Sequence, residues 1–135
     1  MRTILIIFAA AGVSGFLAQE GKVVHVSAPS AAYKEVIPGV SKCALWGGAD
    51  RGPVGAFTRF APGQMNRLHT HTNDIRIVVL EGAYIYKAGG EEIRVGPKEF
   101  PFIPAGTPHV SRGDDKVGAL FYEESPGKFD VNYVA

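Results

Sequence analysis

Gly63-Gln64-Met65-Asn66-Arg67-Leu68-His69-Thr70-His71 is followed, three residues on, by Ile75-Arg76-Ile77-Val78-Val79-Leu80-Glu81 and then Gly82. The second segment is rich in β-branched residues and apolar on both faces over much of its length. It reads as a strand inside a sandwich, and Gly82 ends it. In an extended chain alternate side chains share a face, so His69 and His71 point the same way. Pro62-Gly63 turns the chain into this stretch.

Outward from there the same signature repeats. Upstream, 53–61 reads as a strand with Phe57 and Arg59 on one face and Thr58 and Phe60 on the other. A turn cluster at 47–52 separates it from a strand at 41–46, and Pro38-Gly39 marks an earlier turn within 33–40. Downstream, 83–87 and 91–95 form a hairpin about Ala88-Gly89-Gly90. Gly96-Pro97 is a further turn, and Phe100, Phe102 and Ile103 lead into Pro104. A late strand covers 117–123, with Glu123 and Glu124 read as its solvated end, and 129–134 is a short tail after Ser125-Pro126-Gly127. No segment beyond the N-terminal stretch shows sustained helical periodicity. Short strands punctuated by glycine and proline define an all-β sandwich or barrel.

Length and charge bound the partners. The 135 residues suit one domain, and a net charge of +1 with scattered basic residues gives no pull toward nucleic acid or anionic membrane. The N-terminus reads separately. Arg2 precedes an apolar run over 4–11, and the uncharged stretch continues to Gln19 with small residues inside it. That is the shape of a secretory signal, with cleavage expected after Ala18 and an exported, periplasmic or secreted domain over 19–135. A buried first strand and an uncleaved anchor are the alternatives, although a spanning helix needs roughly 20 apolar residues. Cys43 is the only cysteine, so no disulfide closes within the chain. It reads as a small buried hydrophobe with no catalytic role.

Three of the four histidines lie in two phrases, the one above and Pro104-Ala105-Gly106-Thr107-Pro108-His109. Imidazole is the commonest metal-ligating side chain. His25, outside both phrases, reads as solvated. Together the phrases and the strands between them resemble the cupin superfamily over about 46–124. Gly63, His69, His71 and Gly82 fit the first cupin motif, and Pro104, Gly106 and His109 fit the second, with Gly96 as its opening glycine. Leu68-His69-Thr70-His71-Thr72-Asn73-Asp74 and Phe121-Tyr122-Glu123-Glu124-Ser125-Pro126-Gly127 also resemble a little-characterised cupin subfamily.

The resemblance implies a double-stranded β-helix, or jelly-roll barrel, with a divalent metal on His69, His71 and His109. It departs from the family pattern where the usual glutamate falls on Ile75, which cannot bind a metal, and where Gly113 replaces an asparagine. Asp74 is the one carboxylate next to that slot. Alternation points it away from the histidine face unless a bulge turns it inward. Three neutral imidazoles leave open positions on Fe, Zn, Mn or Ni alike.

The resemblance therefore implies a metal-binding protein whose site suits an oxygenase acting on a small oxygenated molecule, as in three-His thiol and β-diketone dioxygenases. The alternative is a small-molecule or metal-binding module without turnover, or histidines that merely hydrogen-bond inside the barrel. Gln64 and Arg67 in the approach to the first motif, with Tyr84, Tyr86, Phe102 and Tyr122, are the candidate pocket residues. Arg76 is expected to pair with Asp74 or Glu81. Cupins of this size also imply a homodimer through edge strands, with the segments before Trp46 and after Glu124 as the candidates.

Overall fold

The computed structural model describes residues 22–48, 50 and 52–135. The expected leader at 1–18 lies outside them. After a short 3-10 turn at Ala28–Ser30, eleven strands follow in order. They are β1 (Lys34–Ile37), β2 (Val40–Gly47), β3 (Val54–Phe60), β4 (Met65–Thr70), β5 (Ile75–Gly82), β6 (Tyr84–Lys87), β7 (Glu92–Val95), β8 (Phe102–Ile103), β9 (His109–Gly113), β10 (Ala119–Ser125) and β11 (Asn132–Tyr133). Two antiparallel sheets result, ordered β1-β2-β3-β10-β5-β8 and β11-β4-β9-β6-β7. Non-sequential neighbours within each sheet, and chain crossings between the sheets, give the jelly-roll barrel.

The core lies between the sheets. Val54, Ala56, Thr58 and Phe60 of β3 are buried while Phe57 and Arg59 are only half-buried, the two faces expected from alternation. Phe60 meets Phe121 edge-on at 5.0 Å, and Tyr84 meets Phe121 edge-on at 5.3 Å. Such arrangements place a ring's positive edge on its neighbour's negative face. Ile75, Ile77 and Val79 of β5 close the other side.

Three expectations about the strands are corrected. β5 is not covered on both faces. Val78 and Leu80 keep 38% and 36% of their surface exposed, because the second sheet packs only against the side carrying Ile77 and Val79. The late strand begins and ends two residues further on than 117–123. Val117 stands outside in a turn that the Asp114 carboxylate holds through the N–H groups of Lys116 and Val117, at 2.8 and 2.9 Å. Gly118 then crosses Phe60 with φ +68°, so close that a Cβ would stand 2.2 Å from the Phe60 carbonyl oxygen.

The third correction follows from the second. Because β10 runs on to Ser125, Glu123 is not a solvated strand end. It alternates with Phe121 and Ser125 on the inner face and is buried. Cys43 is half-buried rather than buried, and His25 is exposed as expected.

Candidate metal centre

The two histidine phrases meet because β4 and β9 are neighbours. His69 and His109 stand opposite each other in that antiparallel pair. His71 follows two residues after His69, just past the end of β4. The ring centroids are 4.2 Å (His69–His109), 4.9 Å (His69–His71) and 5.1 Å (His71–His109) apart. One ring nitrogen from each lies within 4.8 Å of the others, and all three residues are buried.

Each ring is held by a backbone carbonyl. Nδ1–H of His69 donates to the Arg67 oxygen at 2.7 Å, that of His71 to Asp130 at 2.6 Å and that of His109 to Thr107 at 2.9 Å. A carbonyl only accepts, so Nδ1 carries the proton and Nε2 keeps its lone pair. That is how metal-ligating histidines are oriented by the groups behind them. His109 Nε2 is buried without a hydrogen-bond partner among the described residues. A buried acceptor left unpaired costs about 1–3 kcal/mol, so the donor set fits a metal ion better than it fits a self-satisfied polar cluster.

Electrostatics point the same way. Burial, joined by the neighbouring imidazoles, holds His69 down to about 4 despite its carbonyl partner. Burial lowers His109 as well. Both rings are therefore neutral at physiological pH, the form that binds a metal. In the unfolded chain the same histidines titrate near 6.5. Between about 6.5 and 4 the unfolded state takes up protons that the folded state refuses, so stability falls as pH falls through that window. We expect the urea midpoint of the metal-free protein to drop steadily from pH 6.5 to pH 4. A midpoint that stays level there contradicts the burial of neutral imidazoles.

The segment after β10 straps this centre. Besides the Asp130 carbonyl on His71, the Asp130 carboxylate accepts from the Thr72 N–H at 2.8 Å and from its hydroxyl at 2.5 Å. Asn73 donates to the Lys128 carbonyl at 2.9 Å. Phe129 packs on His71 with centroids 5.3 Å apart, and β11 pairs with β4 so that Tyr133 faces His69.

Ile75 occupies the acidic slot as a buried wall residue. Asp74 stays outside, because β5 meets β8 in regular register from Ile75 onward and no bulge turns it. Its carboxylate accepts from the Ala105 N–H at 2.9 Å and lies 3.7 Å from Arg76, the pairing expected of that arginine. It thereby braces the loop that delivers His109 and is not among the ligating group.

A cavity of about 120 Å³ adjoins the histidines, and Tyr84 is the one expected pocket residue that lines it. Gln64 instead packs beneath Gly39 and donates to Asn66 at 3.1 Å. Arg67 is exposed and lies 4.1 Å over the Tyr133 ring. Tyr86 packs against the core. Phe102 and Tyr122 alternate outward from Ile103 and Phe121; Phe102 lies under Arg76 and Tyr122 accepts from Trp46 and donates to Glu124.

The polar groups that do line the cavity are Lys42, Asn66, Ser111 and Glu123. Alternation was the signal for three of them: Lys42 from Val40, Ser111 from His109, and Glu123 from Phe121. Glu123 accepts from the Thr58 hydroxyl at 3.1 Å and from Lys42 at 3.0 Å on each oxygen. Burial raises the Tyr84 phenol and the charge of Glu123 raises it further, so its hydroxyl stays protonated. Val36, Lys42, Glu123 and Phe129 also line a second, mostly apolar groove of about 760 Å³, which makes them the neck between the two spaces.

This arrangement is a β-barrel with three histidines placed so that they could hold a metal ion. Residues 56–121, a span holding both histidine phrases, match the cupin domain family, and this part of the chain is a cupin domain. Its fold is similar to that of the polyketide cyclase RemF from Streptomyces resistomycificus, with 25% identity, a TM-score of 0.70 and coverage of 84% of this chain and 87% of that one. KdgF from Halomonas sp. gives 21%, 0.59, 73% and 90%. A variant of salicylate 1,2-dioxygenase from Pseudoaminobacter salicylatoxidans in complex with gentisate gives 15%, 0.59, 71% and 30%. The last two likenesses are of fold alone. No curated protein matches the sequence.

Proposed function

We propose that His69, His71 and His109 hold a divalent metal ion, and that the protein is a metal-dependent enzyme acting on a small oxygenated organic molecule, with oxygenase chemistry as the leading reading. The unpartnered, buried Nε2 of His109 beside two carbonyl-locked imidazoles carries the proposal. When bound to three histidines, such an ion supplies a Lewis acid with open positions for substrate oxygens and, as Fe(II), for dioxygen.

The chain's own residues supply the rest. Ile75, Ile77 and Phe121 wall the cavity with apolar surface and keep water from it. Tyr84 keeps a protonated hydroxyl on the same wall. Asn66 donates to Ser111 at 3.2 Å, fixing two more polar groups that face a ligand. Solved cupins of similar fold include a cyclase and a dioxygenase, so the fold supports turnover in general rather than one reaction. Export of the mature domain and assembly as a homodimer complete the proposal, both resting on the sequence.

Elemental analysis of protein purified without an affinity tag, paired with an oxygen electrode and a panel of β-diketones, thiols and catechols, tests it. Bound iron with oxygen uptake supports the oxygenase. Tightly bound zinc without turnover replaces it with a non-catalytic binding module.

A further inference from the structure

Ser125, the last residue of β10, is 2% exposed, and its hydroxyl has no hydrogen-bond partner among the described residues. A buried hydroxyl left unpaired is costly, and native proteins keep few of them. Ser125 continues the inward face of β10 after Phe121 and Glu123 and lines the groove of about 760 Å³. Val54 stands opposite it in the β3–β10 pair, and Ala56 stands opposite both Ala44 and Glu123. The groove floor is therefore small and apolar around one unsatisfied hydroxyl. Apolar walls with a few placed polar groups are the makeup of a site for an organic ligand.

The neck sets what can pass between this groove and the histidine cavity. Lys42 Nζ lies 3.0 Å from each Glu123 oxygen, and the Phe129 ring stands 4.0 Å from that ammonium. The pair satisfies itself and offers no free charge. An ionised body lying here would have to displace one partner and leave the other charge unpaired, so an uncharged one is favoured. Ser125 is two residues past Glu123, roughly 7 Å at the rise of a strand. Two fused rings span about that length.

We infer that the groove is the subsite for the body of the substrate, and that this body is uncharged, apolar, about two fused rings in size and oxygenated at its far end. The Ser125 hydroxyl is the specificity-determining group. It donates to a ligand carbonyl or accepts from a ligand hydroxyl. A body seated there directs the head of the molecule through the neck into the cavity of about 120 Å³ that His69 and His71 line. The inference rests on the metal proposal only for where the head reacts. The groove and its hydroxyl are independent of it.

Indanone and indane, which differ by the carbonyl oxygen, are titrated into the wild-type protein, Ser125→Ala and Ala44→Leu. Binding is followed by NMR shifts, and metal content is measured on the same samples. The wild-type protein should bind both, with shifts centred on Ala44, Ala56 and Ser125. Ser125→Ala should weaken indanone about fivefold, the worth of one hydrogen bond, and leave indane unchanged. Ala44 is exposed within the groove, so leucine there fills the groove without entering the core and should abolish binding of both.

Indanone affinity that Ser125→Ala leaves unchanged, or shifts that fall outside the groove, overturns the inference. So does a groove closed by a second copy, seen as a wild-type dimer that binds neither probe and that Ala44→Leu turns into a monomer. Metal-loaded protein that binds neither probe overturns the inference and leaves the metal proposal standing. Protein that takes up no metal yet binds indanone at Ser125 overturns the metal proposal and supports the groove.

Discussion

Replacing His109 with alanine should lower the affinity for Zn²⁺ by more than about a hundredfold. Loss of a group one shell further out already weakens such sites by roughly 10–100-fold, and His109 is a proposed ligand itself. The ring is fully buried, its Nδ1–H is spent on the Thr107 carbonyl, and its Nε2 has no partner among the described residues. Alanine removes that unsatisfied acceptor along with the ring's packing, so the loss of metal should exceed any loss of fold. Competition against a chromogenic chelator measures the affinity. His25→Ala, at an exposed position outside both phrases, is the control and should bind as the wild type does. Equal Zn²⁺ affinity in His109→Ala and the wild-type protein would rule out the three-histidine centre.

A chain ending at Ser125 should keep all three histidines and still lose metal affinity by roughly 10–100-fold, the effect expected when an outer partner of a ligand is removed. The missing piece carries the carbonyl that orients His71, the Asp130 carboxylate that clamps Thr72, the Phe129 ring on His71 and the strand paired to β4. Without it the His71 ring is free to turn, and the ordering that the strap had already supplied falls on the binding step. Asp130→Ala keeps the chain and removes only the clamp on Thr72. It should show a smaller loss in the same direction. Zn²⁺ affinity unchanged in both variants, with folded protein verified by circular dichroism, would mean that the strap does not position the ligand.

Much of this architecture could be read from residue alternation. The two faces of 53–61, the hairpin about Ala88-Gly89-Gly90 and the pairing of His69 with His71 each need only a period of two and a turn signal. His109 needed the resemblance, because its approach to β4 is made by sheet topology and no local spacing contains it. The shift of β10 was hidden in a specific turn. Gly118 and the Asp114 cap hold Val117 outside, whereas its β-branched side chain reads as strand.

Glu123 was obscured by composition. Two adjacent glutamates look like a solvated end, yet continuing the Ala119–Phe121 alternation by one step places the first of them indoors. The strap was not legible in the sequence. Its hold on His71 runs through the Asp130 backbone carbonyl, and a carbonyl leaves no mark in the residue type.

The proposed centre is tested most directly by the metal content of untagged protein, measured beside a variant with His69, His71 and His109 all changed to alanine. About one divalent ion per wild-type chain, absent from the variant, is the result predicted for a ligand set of this kind. Wild-type protein that is metal-free as purified, and stays so after incubation with Zn²⁺ or Fe²⁺, would contradict it.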